Sequence, residues 1–184
     1  LGRKGLARAT AHMRYLQPNH ARGPSSNRSS YLQPPILAHA AAVIARGRRR
    51  VPDELLDKIE DALAWLWRHR MGDTGLLVIV HPWESGADDS PRWDSWINLP
   101  SYDRDKYREV DKRLVAATTF DDDAIATWST EFVAAPAAFN AFAAHAALEY
   151  AALRDDAGWE GKGRALADAM DAELWDAVEG LWSD

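Results

Sequence analysis

Cysteine is absent from the 184 residues, which excludes a disulfide framework, a thiolate zinc site, an iron–sulfur cluster and a cysteine nucleophile together. A reducing, cytoplasmic setting is the expectation from that composition. Long apolar runs are missing too: nothing approaches the ~18 consecutive apolar residues of a membrane span, and no membrane partner is expected. Positive charge is not in excess. The 22 Lys and Arg stand against 28 Asp and Glu, a formal net charge of −6, so nucleic-acid binding through bulk electrostatics is not expected. No fixed-length repeat runs along the chain. What is plentiful is Ala, at 33 positions, and Trp, at nine. Abundant Ala favours helix, and indoles in that number hint at faces on which sugars or bases stack. With 47% hydrophobic and 27% charged residues the composition is globular.

Helical punctuation recurs along the chain. Pro34 and Pro35, followed by Ile36, Leu37, Val43 and Ile44, predict a helix entered through proline and stopped at Gly47. From Pro52 to Arg70 the apolar residues Leu55, Leu56, Ile59, Leu63, Leu66 and Trp67 repeat at three and four, with acids in the first turn and bases in the last. Leu76 to Trp83 reads instead as a buried extended segment, because it is short, continuous and rich in Val and Ile. A charged helix is expected from Tyr102 to Ala117. Asp121, Asp122 and Asp123 are expected to cap a further helix running to about Ala135. Pro136 starts the next, with Phe139, Phe142, Ala146 and Tyr150 on one face, and a last helix is expected from about Gly163 to Val178. The sum is an all-α chain of helical hairpins. Residues 17–30 and 86–100 lack core periodicity; loops of such length are usually functional or disordered.

The chemistry concentrates in His81-Pro82-Trp83-Glu84-Ser85-Gly86-Ala87-Asp88-Asp89-Ser90-Pro91-Arg92-Trp93-Asp94. Indoles favour burial and unpaired acids resist it, and a loop that combines them typically marks a ligand pocket. Glycoside hydrolysis needs a carboxylic acid on one side of a sugar and a carboxylate on the other. This loop can supply one side only, since Glu84 and Asp88 are four residues apart on the same stretch. A metal held by His81, Glu84, Asp88 and Asp89 fits neither zinc nor EF-hand spacing, so no metal and no organic cofactor is expected. The competing reading is a structural loop with satisfied acids and core tryptophans. Arg92 is open between substrate contact and a pairing with Glu84 or Asp94 that holds the loop. Gln33 is open between substrate contact and helix capping. The run Arg46-Gly47-Arg48-Arg49-Arg50 reads as a solvated turn, His39 and His145 as satisfied core histidines, and Trp65, Trp67, Trp128, Trp175 and Trp182 as helix packing.

The string at 84–94, preceded by His81-Pro82-Trp83, resembles the signature of inverting α-glycosidases built on an (α/α)6 toroid. That clan includes glycoside hydrolase family sixty-three, the bacterial glucosylglycerate and mannosylglycerate hydrolases and, more distantly, the trehalases. The resemblance extends weakly to Gln33-Pro34-Pro35-Ile36-Leu37-Ala38 and to Phe139-Asn140. It departs from the family at Asp89, where Asn is usual, and in the serine-rich approach to Gln33. It implies that Asp88 is the general acid, that Gln33, Trp83, Glu84, Arg92, Trp93 and Tyr107 surround a sugar or anionic sugar conjugate, and that burial among indoles lifts the pKa of Asp88. A toroid needs about twelve helices and this chain supplies about half. Residues 1–184 are therefore expected to form part of such a domain, with the remainder of the barrel and the general base outside it. The alternative is a non-catalytic helical-hairpin scaffold that binds sugar or a partner.

Overall fold

The computed structural model describes residues 31–47, 49–88, 90–97, 103–121 and 125–182; the expected loop 17–30 lies outside them. Helix α1 spans Leu37–Arg46 and ends at Gly47. Helix α2, Asp53–His69, follows Pro52 with Asp53 and Glu54 in its first turn and Arg68 and His69 in its last, each charge set favourable to the helix dipole. Leu55, Leu56, Ile59, Leu63 and Leu66 are its buried stripe. The chain then runs extended through Leu76–Val80, all five residues buried. Antiparallel bridges join Met71 to Leu77 and Ile79 to Ala134. Two short 3₁₀ turns, Pro82–Ser85 and Pro91–Trp93, lead into the single-turn α3, Asp94–Ile97. Helix α4, Arg104–Ala116, is capped by the Asp103 carboxylate, which accepts from Asp105 N and Lys106 N.

Strands β1, Thr118–Phe120, and β2, Ala126–Ser129, pair antiparallel. Helices α5, Ala137–Arg154, and α6, Ala157–Glu173, form the central hairpin, and a small hairpin of β3, Trp175–Asp176, and β4, Leu181–Trp182, follows. The α5–α6 contact is close because Gly163 has no side chain: a Cβ there would stand 2.8 Å from Leu148 Cγ and 3.1 Å from the Ala144 carbonyl. One core cluster joins α1, α2 and α5 with Trp159, and a second joins the extended segment, Trp93, Phe132, Phe139 and Leu166.

The chain is mostly helical, with two short hairpins added. The helix expected from the Asp121 cap to Ala135 is the β1–β2 hairpin instead. Thr118, Thr119, Ile125, Thr127 and Trp128 are β-favouring, and Asp121 Oδ1 accepts from Ile125 N at 2.9 Å, closing the connection rather than starting a helix. The last helix begins earlier than expected, at an Asp156 side-chain cap, and stops at Glu173. Trp128, Trp175 and Trp182 lie on strands, not helices, and all three are exposed. Phe142 also faces outward. His39 and His145 are exposed rather than core residues.

Candidate active site

The 3₁₀ turn Pro82–Ser85 carries Glu84 into a fully buried position, and the bonds around it explain the local fold. Glu84 Oε1 accepts from Arg70 Nη2 at 2.6 Å and from Leu32 N at 2.9 Å; Oε2 accepts from Arg70 Nη1 at 2.7 Å and from Val80 N at 2.8 Å. Both side chains are 0% exposed. Arg70 also donates to the carbonyls of Val78 and Ala126. This bidentate pair joins the residues before α1, the end of α2, the extended segment and β2 at one point. Of the pairings left open for Arg92, that with Glu84 is replaced by Arg70. Arg92 is exposed, with Nε 3.2 Å from Ser90 Oγ and its guanidinium 5.7 Å from the Trp93 ring.

Beyond Glu84 the chain turns at Gly86, whose φ of 71° lies in the left-handed region where only glycine rests without strain. A Cβ at Gly86 would stand 3.0 Å from Pro34 Cγ, so the Pro34 segment packs directly on the turn, and Gln33 is exposed beside it in sequence. Asp88 follows and its side chain is exposed. The burial expected around Asp88 is not supplied by the described residues, and Asp89 lies outside them. Tyr107, half-buried on α4, reaches the Asp88 carbonyl through its hydroxyl at 3.4 Å.

The two indoles separate. Trp93 is 2% exposed, packs its ring at 5.4 Å on Phe132 and donates Nε1–H to the Ala87 carbonyl at 3.0 Å. It holds the loop from beneath, and its expected role as a sugar platform is corrected: a face already covered cannot be uncovered by adding chain. Glu84 is corrected in the same way, since four donors occupy its oxygens and none is left for a ligand. Trp83 is half-buried in an aromatic group with His81 and Tyr31, at ring separations of 4.2 and 5.6 Å. His81 accepts from Trp83 N through Nδ1, and desolvation holds its pKa down at about 4. Burial likewise pushes the Tyr31 phenol up, against its hydrogen bond to Thr118.

Sequence reasoning missed Arg70, the residue that fixes the loop. Its signal was faint, an arginine placed last in an amphipathic helix where it serves equally as a C-terminal charge. It also missed the pairing of Asn140 with the extended segment: Asn140, fully buried, accepts from Leu77 N at 2.7 Å and donates to Leu77 O at 2.9 Å.

The family model of the mannosylglycerate hydrolase MGH1-like glycoside hydrolase domain matches residues 7–184. Mannosylglycerate hydrolase of Rubrobacter radiotolerans is 26% identical over 190 residues, 84% of this chain and 43% of that protein. Mannosylglycerate hydrolase of Thermus thermophilus is 38% identical over 98 residues, 45% of this chain and 23% of that protein. The crystal structure of a family-63 mannosylglycerate hydrolase from another strain of the same species, in complex with Tris and D-glycerate, superposes with a TM-score of 0.68 at 20% identity, covering 97% of this chain and 56% of that one. The chain thus spans about half the length of the relatives it matches.

Proposed function

We propose, because the chain belongs to the mannosylglycerate hydrolase MGH1-like glycoside hydrolase domain family, that the protein it forms hydrolyses an α-mannosyl or α-glucosyl bond with inversion, on a small anionic substrate of the hexosylglycerate class. The reading that follows places these residues in part of an (α/α)6 toroid whose other helices lie outside them. Asp88 protonates the leaving glycosidic oxygen, and a carboxylate from another segment draws the proton from a water on the opposite face of the sugar, the two groups about 6.5–9.5 Å apart. Neither metal nor organic cofactor is needed for these steps.

The observation that carries this reading is the division of labour between two acids four residues apart. Glu84 is sequestered by Arg70, Leu32 N and Val80 N, whereas Asp88, past the Gly86 turn, is the acid displayed to solvent. Trp83 and Arg92, close to it in sequence, and Gln33, adjacent to the Pro34 that packs on the Gly86 turn, stand as the substrate-contacting candidates. Tyr107, whose hydroxyl meets the Asp88 backbone, is the candidate for the glycerate carboxylate. The absence of cysteine suits a cytoplasmic enzyme, and no described helix is long and apolar enough to cross a membrane.

The test is Asp88→Asn in the full-length protein, assayed on mannosylglycerate, glucosylglycerate and the corresponding glycosyl fluorides. General-acid help is worth ~10²–10⁴-fold, so turnover of the two hexosylglycerates should fall by at least that factor. The fluorides, whose leaving group needs little protonation, should lose far less. Equal, near-wild-type rates on both classes would assign the acid elsewhere.

A further inference from the structure

Away from the Asp88 loop, α1 and α5 bring together three donors that no step above uses. His145 and Glu149 are four apart on α5 and so share a face; His39 meets them from α1. His145 Nε2 stands 3.3 Å from His39 Nδ1 and 3.3 Å from Glu149 Oε1, and His39 Nδ1 is 3.5 Å from the same oxygen. We propose that these three atoms bind one divalent transition-metal ion of the zinc class, which ties α1 to α5.

Geometry carries the proposal. A triangle with those sides has its centre about 1.9 Å from each corner, so an ion at the usual ~2.0–2.2 Å from imidazole nitrogen and carboxylate oxygen sits just above the plane, with an outer position open to water. Adjacent ligands of a tetrahedral site at those bond lengths are separated by about 3.3–3.5 Å. The three corners already have that spacing. The donor set selects the ion: two imidazoles and a carboxylate suit zinc, cobalt or nickel, whereas calcium and magnesium favour oxygen ligands throughout.

A second observation is independent of that triangle. Glu149 is 6% exposed and its Oε2 has no hydrogen-bond partner, so its buried charge is compensated through Oε1 alone, the corner at which a cation would bind. Both histidines are about half exposed, which leaves an ion a route in from solvent. The Arg46 guanidinium also donates to Glu149 Oε1. It opposes a cation, and its 64% exposure lets it swing outward. The sequence offered no warning, because His39 and His145 are 106 residues apart and only the α1–α5 contact makes them neighbours.

The experiment uses the full-length protein stripped with chelator, then titrated with zinc by calorimetry and with cobalt by visible absorption, whose ligand-field bands report nitrogen and oxygen coordination. One equivalent should bind. His39→Ala and His145→Ala should each weaken it by at least the ~10–100-fold that loss of a mere supporting hydrogen bond costs a metal site. Glu149→Gln should do the same. Because both histidines are exposed, their variants should keep the wild-type circular dichroism and cooperative melting, which separates lost binding from lost folding. Wild-type protein that takes up no metal, or full binding retained in the double histidine variant, overturns the proposal.

Discussion

Replacing Glu84 by Gln is the sharpest test of how the loop is held. The substitution keeps the shape and removes one charge from a pair with both members 0% exposed. In either orientation of the amide, one nitrogen faces two donors, either Arg70 Nη1 with Val80 N or Arg70 Nη2 with Leu32 N. At the same time the Arg70 guanidinium is left buried without a counter-charge. Removing one partner of a buried pair typically costs about 3–5 kcal/mol, against total stabilities of about 5–15 kcal/mol. The melting temperature should fall with it. Chemical denaturation of the full-length protein should give the same loss through a lower midpoint at unchanged slope. Arg70→Met alone should be similarly harmful, and the double variant Arg70→Met with Glu84→Met should be less destabilised than the sum of the two, because no charge then remains buried. A loss below about 1 kcal/mol, the scale of an exposed pair, would refute the reasoning.

Three further outcomes are expected. The pKa of His81 lies at about 4 in the folded chain against about 6.5 unfolded, so the unfolded state takes the proton first: stability should fall as pH drops from about 6.5 to 4, by up to about 3 kcal/mol, and His81→Asn should flatten that limb of a denaturation-versus-pH curve. Asn140→Ala should strip the Leu77 N–H and C=O of their partners, costing about 2–6 kcal/mol at ~1–3 per buried group; unchanged thermal stability would deny the tie its importance. The 184 residues expressed alone should show no turnover of mannosylglycerate or glucosylglycerate, since one carboxylate cannot also activate water on the far face, and robust activity would place the base among these residues, with Glu131 and Glu149 the first to mutate.

The helices were legible wherever apolar spacing, a cap and an end signal agreed, as in Asp53–His69 and in the helix after Pro136. The extended segment was legible from its unbroken Val and Ile. The β1–β2 hairpin was not, because three consecutive aspartates read equally as a helix cap and as a tight connection, and only the pairing of Thr119 with Trp128 decides between them. The family was legible from a short string of residues, though the exposure of Asp88 within it was not. The roles of its neighbours were not: Trp93 and Glu84 look like ligand contacts in a list of residue types, while their covering by Phe132 and Arg70 depends on chain 39 residues later and 14 residues earlier. Long-range partners of this kind leave no periodic trace.

The node at Glu84 also bears on the order in which the chain folds. Its four accepted bonds come from Leu32, Arg70 and Val80, and Arg70 in turn reaches Ala126, so the constellation closes only after loops of very different lengths have been drawn together, each at its own entropic cost. Local structure such as the α5–α6 hairpin has no such requirement and can form early. The turn that displays Asp88 is therefore expected to consolidate after the rate-limiting step, and Glu84→Gln should accelerate unfolding far more than it slows refolding. An incompletely folded chain would then hold its helices before it fixes the turn that carries Asp88.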